Sequence, residues 1–281
     1  MKEQATLDNT IFYSVAKYPD LNNVVRFIKK TADYFAIALQ FPIFEKGDLH
    51  PNHQNHDKVD YVDIKIRRIL PFLEQWKTDG KKYALYADAR DVVFVDTAQN
   101  ILDTYNNMNV SGVLFNADDF CKTWPCKQWQ YTSKIVNQYG GHGVINAGLF
   151  IGMIDDIIEL FNQILELQER FYHNDFSYYV FKHFNEALIN DIAQNKDLYK
   201  NDDEYYIQLL QYTNSQLIQT DKDKLLLGWF RDCFPLVHDR QPRRTYCDHT
   251  YIGTAKVLHC SRFMNTICWD AWINEEILRI K

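Results

Sequence analysis

The chain has 281 residues, with 31 Lys and Arg against 37 Asp and Glu, for a net charge of −6. At 46% apolar and 24% charged residues, it can bury a core and is neither disordered nor collagen-like. No apolar run reaches the roughly eighteen residues of a transmembrane helix, and the acidic balance argues against a nucleic-acid binder working through its whole surface.

In chain order, Ile11 to Ala16 reads as a buried strand. A helix capped by Asp20 follows, with Leu21, Val24, Val25 and Ile28 at helical spacing. Phe35 to Phe41 reads as a second strand, and residues 46–57, with His50, His53 and His56, as a solvated loop. Val59 to Trp76 is helical, with Ile66, Ile69, Leu70 and Leu73 on one face and Pro71 as a bend. Tyr83 to Ala87, Val92 to Val95, Gly112 to Asn116 and Val144 to Ile151 read as strands, and Ile154 to Phe171 as a long amphipathic helix. Leu225 to Phe230 and Lys256 to His259 are late strands, and Trp269 to Ile280 is a closing helix. This alternation predicts an α/β fold, a mostly parallel central sheet flanked by helices. Ligands on such sheets bind at the carboxyl ends of strands.

Six cysteines, at 121, 126, 233, 247, 260 and 268, form no C-x-x-C pair. The first ten residues lack the apolar stretch of a signal peptide. Free thiols in a reducing cytoplasm are the expectation, rather than disulfides or a zinc site at Cys121 and Cys126.

Four constellations stand at element ends. Asp88-Ala-Arg-Asp91 closes an apolar strand with two carboxylates three residues apart. Such a pair suits Mg²⁺ or Mn²⁺ bridged to a phosphate; taken alone, a polar turn fits it better. Residues 141–152, GHGVINAGLFIG, place Asn146 and Gly148 inside an apolar run. That pattern fits either a close backbone approach to a ligand or a tightly neighboured strand. Asn201-Asp-Asp-Glu204 opens a helix, as caps or as carboxylates near a reacting sugar. His259 ends a late strand, with Arg262 three residues on, as a structural residue or as a third ligand beside Asp88 and Asp91.

Taken in order, Ala84 to Asp91, Leu114 to Cys121, Val144 to Gly152, Asp202 to Glu204 and Val257 to Cys260 resemble the motifs of one family. It is the glycosyltransferase domain of the procollagen lysyl hydroxylases and their viral and bacteriophage relatives. The resemblance spans roughly residues 10 to 265 and implies a single GT-A, Rossmann-like domain over 1–281. Its nucleotide-binding part would cover about 10–120 and its acceptor part about 121–281.

The resemblance also implies roles. Asp88, Asp91 and His259 would bind Mn²⁺ or Mg²⁺. Ser14, Val15 and Ala16 would border the nucleobase, and Lys65 would reach the nucleotide of a donor, expected to be a UDP-sugar. Asn146 and Gly148 would line the sugar end, and Asp202 and Asp203 would face sugar and acceptor as catalytic carboxylates. Arg90 stands where the family has an aromatic residue, so stacking on the base becomes cation–π-like, or a phosphate contact. The family's H-G-N-G is His259-Cys-Ser-Arg262 here, with Arg262 as a diphosphate contact.

The acceptor is expected in the cytoplasm, a host's if the chain is viral. Viral relatives and a composition rich in Asn, Lys, Tyr, Phe and Ile point to hydroxylated pyrimidines in bacteriophage DNA. Arg240, Arg243 and Arg244 would then hold DNA phosphates, as an alternative to a solvated loop with scattered charge. Acceptors of glycan, protein or small-molecule type are the other outcome. A non-catalytic sugar- or nucleotide-binding protein and a metal-dependent phosphodiesterase are the rival classes.

Overall fold

Tyr83 to Ala87 are apolar without a break, so a strand there needs cover on both faces. The structure, a computed structural model, describes residues 3–17, 26–44, 62–89, 92–118, 144–175, 182, 186–199, 201–213, 216–223, 225–229 and 255–259. Its elements in chain order are β1 (Thr10–Tyr13), β2 (Ala16–Lys17), α1 (Arg26–Tyr34), β3 (Leu39–Gln40) and β4 (Ile43–Phe44). A π-helical turn (Asp63–Arg67), α2 (Leu70–Thr78), β5 (Tyr83–Ala87), β6 (Val92–Phe94), α3 (Ala98–Asn107) and β7 (Val113–Asp118) come next. Then follow β8 (Val144–Met153), α4 (Ile154–Tyr172), α5 (Glu186–Tyr199), α6 (Asp203–Thr213), β9 (Ile218–Asp221), β10 (Leu227–Trp229) and β11 (Val257–His259).

The main sheet has the order β3-β1-β5-β8-β7-β9. β1 is parallel to β3 and β5, and β7 to β9, while β8 is antiparallel to both its neighbours. The α/β class and the mostly parallel sheet are as expected, with β8 alone running against the rest. Alternate residues of β5 enter opposite cores. Ala84 and Tyr86 join the side built from Leu73 of α2, Ile157, Leu160 and Phe161 of α4, and Tyr205 and Leu209 of α6. Tyr83, Leu85 and Ala87 join the side built from Ile28 of α1 and Ile101 and Leu102 of α3. This second side also takes in Val92, Phe94, Leu227 and Val257 from a three-stranded sheet of order β10-β11-β6.

Two expected elements differ. The strand at Phe35–Phe41 shrinks to Leu39–Gln40, because α1 runs to Tyr34 and turns at Ala36, whose φ is 54°. Ile37 N donates to Ala32 O at 2.8 Å and Ala36 N to Asp33 O at 3.3 Å. This is the helix-ending pattern that glycine usually marks, here with alanine in the left-handed position. The single helix at Val59–Trp76 is two segments. Arg68 N donates to Asp63 O at 3.0 Å across five residues, closing the π-turn, and Arg68 Nε pairs with Asp63 Oδ2 at 2.7 Å. Pro71 then lies in the first turn of α2, where its missing N–H leaves no bond unmade, so it starts a helix instead of bending one.

Elements α3, α5 and β9 had no counterpart in the sequence reading. The expected closing helix, the histidine loop at 46–57 and all six cysteines lie outside the described residues.

Candidate functional site

β1 and β5 are parallel, with Tyr13 beside Tyr86, so Ser14 and Asp88 leave the sheet at the same edge. β8 meets that edge through a bulge. Against β7, Phe115 pairs with Phe150 but Asn116 pairs with Asn146, so residues 147–149 leave that ladder. They stay on β5, where Leu149 pairs with Ala87 and Asp88 N donates to Gly148 O at 2.8 Å. Gly148 N in turn donates to Asn146 Oδ1 at 2.9 Å, so the Asn146 amide shapes the bulge itself.

Gly148 is needed for space. A Cβ there would stand 2.9 Å from Asp88 Oδ2, with the His259 ring nearer still. His259 arrives on β11, opposite Val92 of β6, and is buried. Its Nε2 lies 3.8 Å from Asp88 Oδ2. On the other side of the carboxylate, Asp88 Oδ1 accepts from the Tyr86 hydroxyl at 2.5 Å and pairs with Lys65 Nζ at 2.9 Å. The π-turn aims Lys65 inward, where Nζ also lies 3.3 Å from Asp203 Oδ2 and 5.6 Å from the centre of the Tyr86 ring. Extra turns of this kind are frequent at functional sites.

The two aspartates that open α6 divide. Asp202 Oδ1 accepts from Glu204 N at 3.1 Å and so caps the helix, while Asp203 is buried and faces Lys65. Glu204 and Gln208 tie α6 to β8. Glu204 Oε2 accepts from Ala147 N at 3.5 Å, and Gln208 Nε2 donates to Ile145 O and to Glu204 Oε1, each at 3.2 Å.

Charge follows from this packing. Burial would lower the Lys65 pKa, but the carboxylates of Asp203 and Asp88 hold it well above its ordinary value. Burial raises Asp203, against the pull of Lys65. Burial, with Asp203 alongside, pushes Asp202 up to about 6. Burial and the nearby Asp88 raise the Tyr86 phenol, which stays a donor.

The structure thus brings Asp88, His259, Gly148, Lys65 and Asp203 together, with Asp202 and Asn146 alongside. Ser14 and Val15 are buried where β1 ends, with Ser14 N donating to Gln40 O at 3.0 Å, and Ala16 pairs with Ile43. Arg90, Asp91, Arg240, Arg243, Arg244 and Arg262 lie outside the described residues. Among the described residues, no group of three or more His, Cys, Asp or Glu side chains is arranged to hold a metal ion. The Asp88 carboxylate is nonetheless the oxygen donor that Mn²⁺ and Mg²⁺ favour, with the His259 imidazole nitrogen 3.8 Å from it across Gly148. The sequence reading missed Tyr86. A strand's period of two puts residues 86 and 88 on one face, and that signal was available.

A family model described as the PLOD GT domain matches residues 19–201, well over half of the chain. The match takes in Lys65, Asp88, Asp91, Asn146 and Gly148, and stops just before Asp202. No curated protein matches the chain.

Proposed function

The chain belongs to the family of glycosyltransferase domains of procollagen lysyl hydroxylases, and from that premise we propose a metal-dependent enzyme that moves a sugar from a UDP-sugar to an acceptor hydroxyl. What supports the reading is the Asp88–His259 pair opened by Gly148, with Lys65 and Asp203 beside it. Asp88 and His259, with Asp91, would hold Mn²⁺ or Mg²⁺, which when bound neutralises the donor's diphosphate.

The chain's own residues orient the reactants. Ser14, Val15 and Ala16 border the base, Lys65 reaches the nucleotide, Arg262 meets the diphosphate, and Arg90 stacks on the base or contacts a phosphate. Asn146 and Gly148 shape the sugar end. If the reaction inverts at the anomeric carbon, a carboxylate must take the acceptor's proton. Asp202 or Asp203 is the candidate; burial and the neighbouring Asp203 push Asp202 up to about 6, toward the range of a base that works at neutral pH. We read residues 1–281 as one such domain.

For the acceptor we propose a hydroxylated pyrimidine of bacteriophage DNA, modified in the host cytoplasm. The support is the cluster of Arg240, Arg243 and Arg244 in an otherwise acidic chain. The base would have to leave the helix stack to present its hydroxyl. No helix among the described residues is long and apolar enough to cross a membrane.

The primary test is UDP release from a panel of UDP-sugars with Mn²⁺. Release by the wild type that is lost in Asp88→Asn supports the transferase. No release with any nucleotide sugar returns the chain to a sugar- or nucleotide-binding role. Duplex DNA carrying hydroxymethylcytosine, digested and weighed as nucleosides, tests the acceptor. The absence of a sugar adduct, from enzyme that does turn over a UDP-sugar, removes DNA and leaves glycan, protein or small-molecule acceptors.

A further inference from the structure

The two carboxylate oxygens of Asp88 have different surroundings. Oδ1 accepts from the Tyr86 hydroxyl at 2.5 Å and pairs with Lys65 Nζ at 2.9 Å. Oδ2 faces His259 Nε2 at 3.8 Å, across the space that Gly148 leaves open. Tyr86 is buried, and its ring packs between Tyr13 at 5.3 Å and Phe150 at 4.9 Å. A buried ring stacked on Phe150 and packed against Tyr13 keeps its hydroxyl in one place, and Lys65 lies over that same ring.

We propose that Tyr86 is a positioning residue which, together with Lys65, occupies Asp88 Oδ1, so that the carboxylate offers only Oδ2 to a divalent cation. The inference rests on reading Asp88 as a metal ligand, and adds to it a residue and a selectivity. A carboxylate gripping with both oxygens suits Ca²⁺, which takes six to eight loosely arranged oxygens. A single oxygen suits the tighter octahedron of Mg²⁺ and Mn²⁺. Tyr86 would therefore set both the affinity for Mn²⁺ and the discrimination against Ca²⁺. Its position, two residues before Asp88 on an apolar strand, makes the pairing local and independent of loop conformation.

The experiment is titration of the full chain with Mn²⁺, without nucleotide, following the free-ion electron paramagnetic resonance signal, then competition with Ca²⁺. Tyr86→Phe keeps the ring and removes the hydroxyl. It should weaken Mn²⁺ binding about 10-fold, the lower end for a lost partner of a ligating carboxylate, and should let Ca²⁺ compete better. Near-ultraviolet circular dichroism and the melting temperature report whether the variant keeps its packing. In a Lys65→Met background, Tyr86→Phe should erode the Mn²⁺ preference further, since both partners of Oδ1 are then gone. Lys65→Met alone, which removes the other partner of Oδ1, supplies a second reading of Ca²⁺ competition should Tyr86→Phe fold poorly. Asp88→Asn is the control. Unchanged Mn²⁺ affinity and Ca²⁺ competition in Tyr86→Phe, with binding lost in Asp88→Asn, overturn the inference and leave the metal reading standing. Unchanged binding in Asp88→Asn overturns both.

Discussion

Asp221, at the end of β9, accepts three backbone N–H groups, from Leu225 at 3.0 Å and from Leu226 and Leu227 at 2.7 Å each. Asp88, at the end of β5, is met on one oxygen by the side chains of Tyr86 and Lys65, while the other oxygen faces an imidazole. Both carboxylates end a strand of the same sheet. Asp221 is satisfied within six residues of its own chain and shapes the turn into β10, so its charge is consumed by the fold. Asp88 is reached by side chains from other elements, including one 23 positions earlier and one on the late strand β11. This arrangement fixes one oxygen through Tyr86 and Lys65 and turns the other toward the His259 ring. A buried acid saturated by nearby backbone is architectural, whereas the half-buried Asp88 is held by side chains alone, one from its own strand and one from the π-turn.

The sharpest break between the two comes from removing each. Asp88→Asn should lower UDP-sugar turnover by about 100-fold or more, in line with a lost metal contact, while the melting temperature stays within a few degrees. Asp221→Ala should do the reverse. Two buried N–H groups left unpaired, with a third half-exposed, cost on the order of 2–4 kcal/mol, roughly 5–10 °C of melting temperature at this chain length, while the folded fraction keeps its turnover. Equal losses of stability in the two variants would dissolve the contrast.

Gly148→Ala tests the open side of Asp88. The added methyl collides with Asp88 Oδ2 and the His259 ring, so Mn²⁺ binding should fail in calorimetry, at a stability cost of about 1–3 kcal/mol for overpacking. Retained binding would mean that the gap is not where the ion sits.

Asp202→Asn sharpens the division at α6. Asp202 is raised from 3.8 to about 6, so the folded chain holds that proton more tightly than the unfolded chain. The stability contributed by this group therefore falls as pH rises between those values, and the cost is complete above the upper one. Asparagine keeps the cap oxygen and removes the charge. The variant should be more stable than wild type at pH 7 by about 1–3 kcal/mol, with the gain vanishing near pH 4, as denaturant melts at both values would read. Thr97→Ala gives the smallest effect. It removes the side chain that accepts from Asn100 N at the start of α3, for about 1 kcal/mol of stability and unchanged turnover.

Much of this was legible in residues. Periodicity gave the strands β5, β7 and β8 and the long helix α4, because their apolar patterns are buried as the pattern requires. The strand-end rule led to Asp88, and the order of motifs to Lys65, Asp203, Gly148 and His259. What escaped has physical causes. Ala36 ends α1 in a conformation that glycine usually announces. The π-turn leaves the apolar spacing of a helix intact, so Lys65 could be named but its inward aim could not. Asp202 and Asp203 are identical in type, and only the fold separates the cap from the partner of Lys65. The Thr97 cap and the apolar series Ala98, Ile101, Leu102 and Tyr105 did announce α3 and went unread.

β11 carries His259 and is the strand partner of β6, which sits at the edge of its sheet. The pairing of Val92 with His259 spans most of the chain, so it forms late on a growing polypeptide, after β1 and β5 have had time to pair. Until then Val92, Val93 and Phe94 present an unpaired apolar edge, the kind of segment that sticks to other chains and draws chaperones. The event that shelters this edge is the same one that sets the imidazole opposite Asp88. Newly made chains therefore lose this adhesive edge in the same step that brings His259 to Asp88, and a chain stalled before that step on the ribosome keeps the edge exposed.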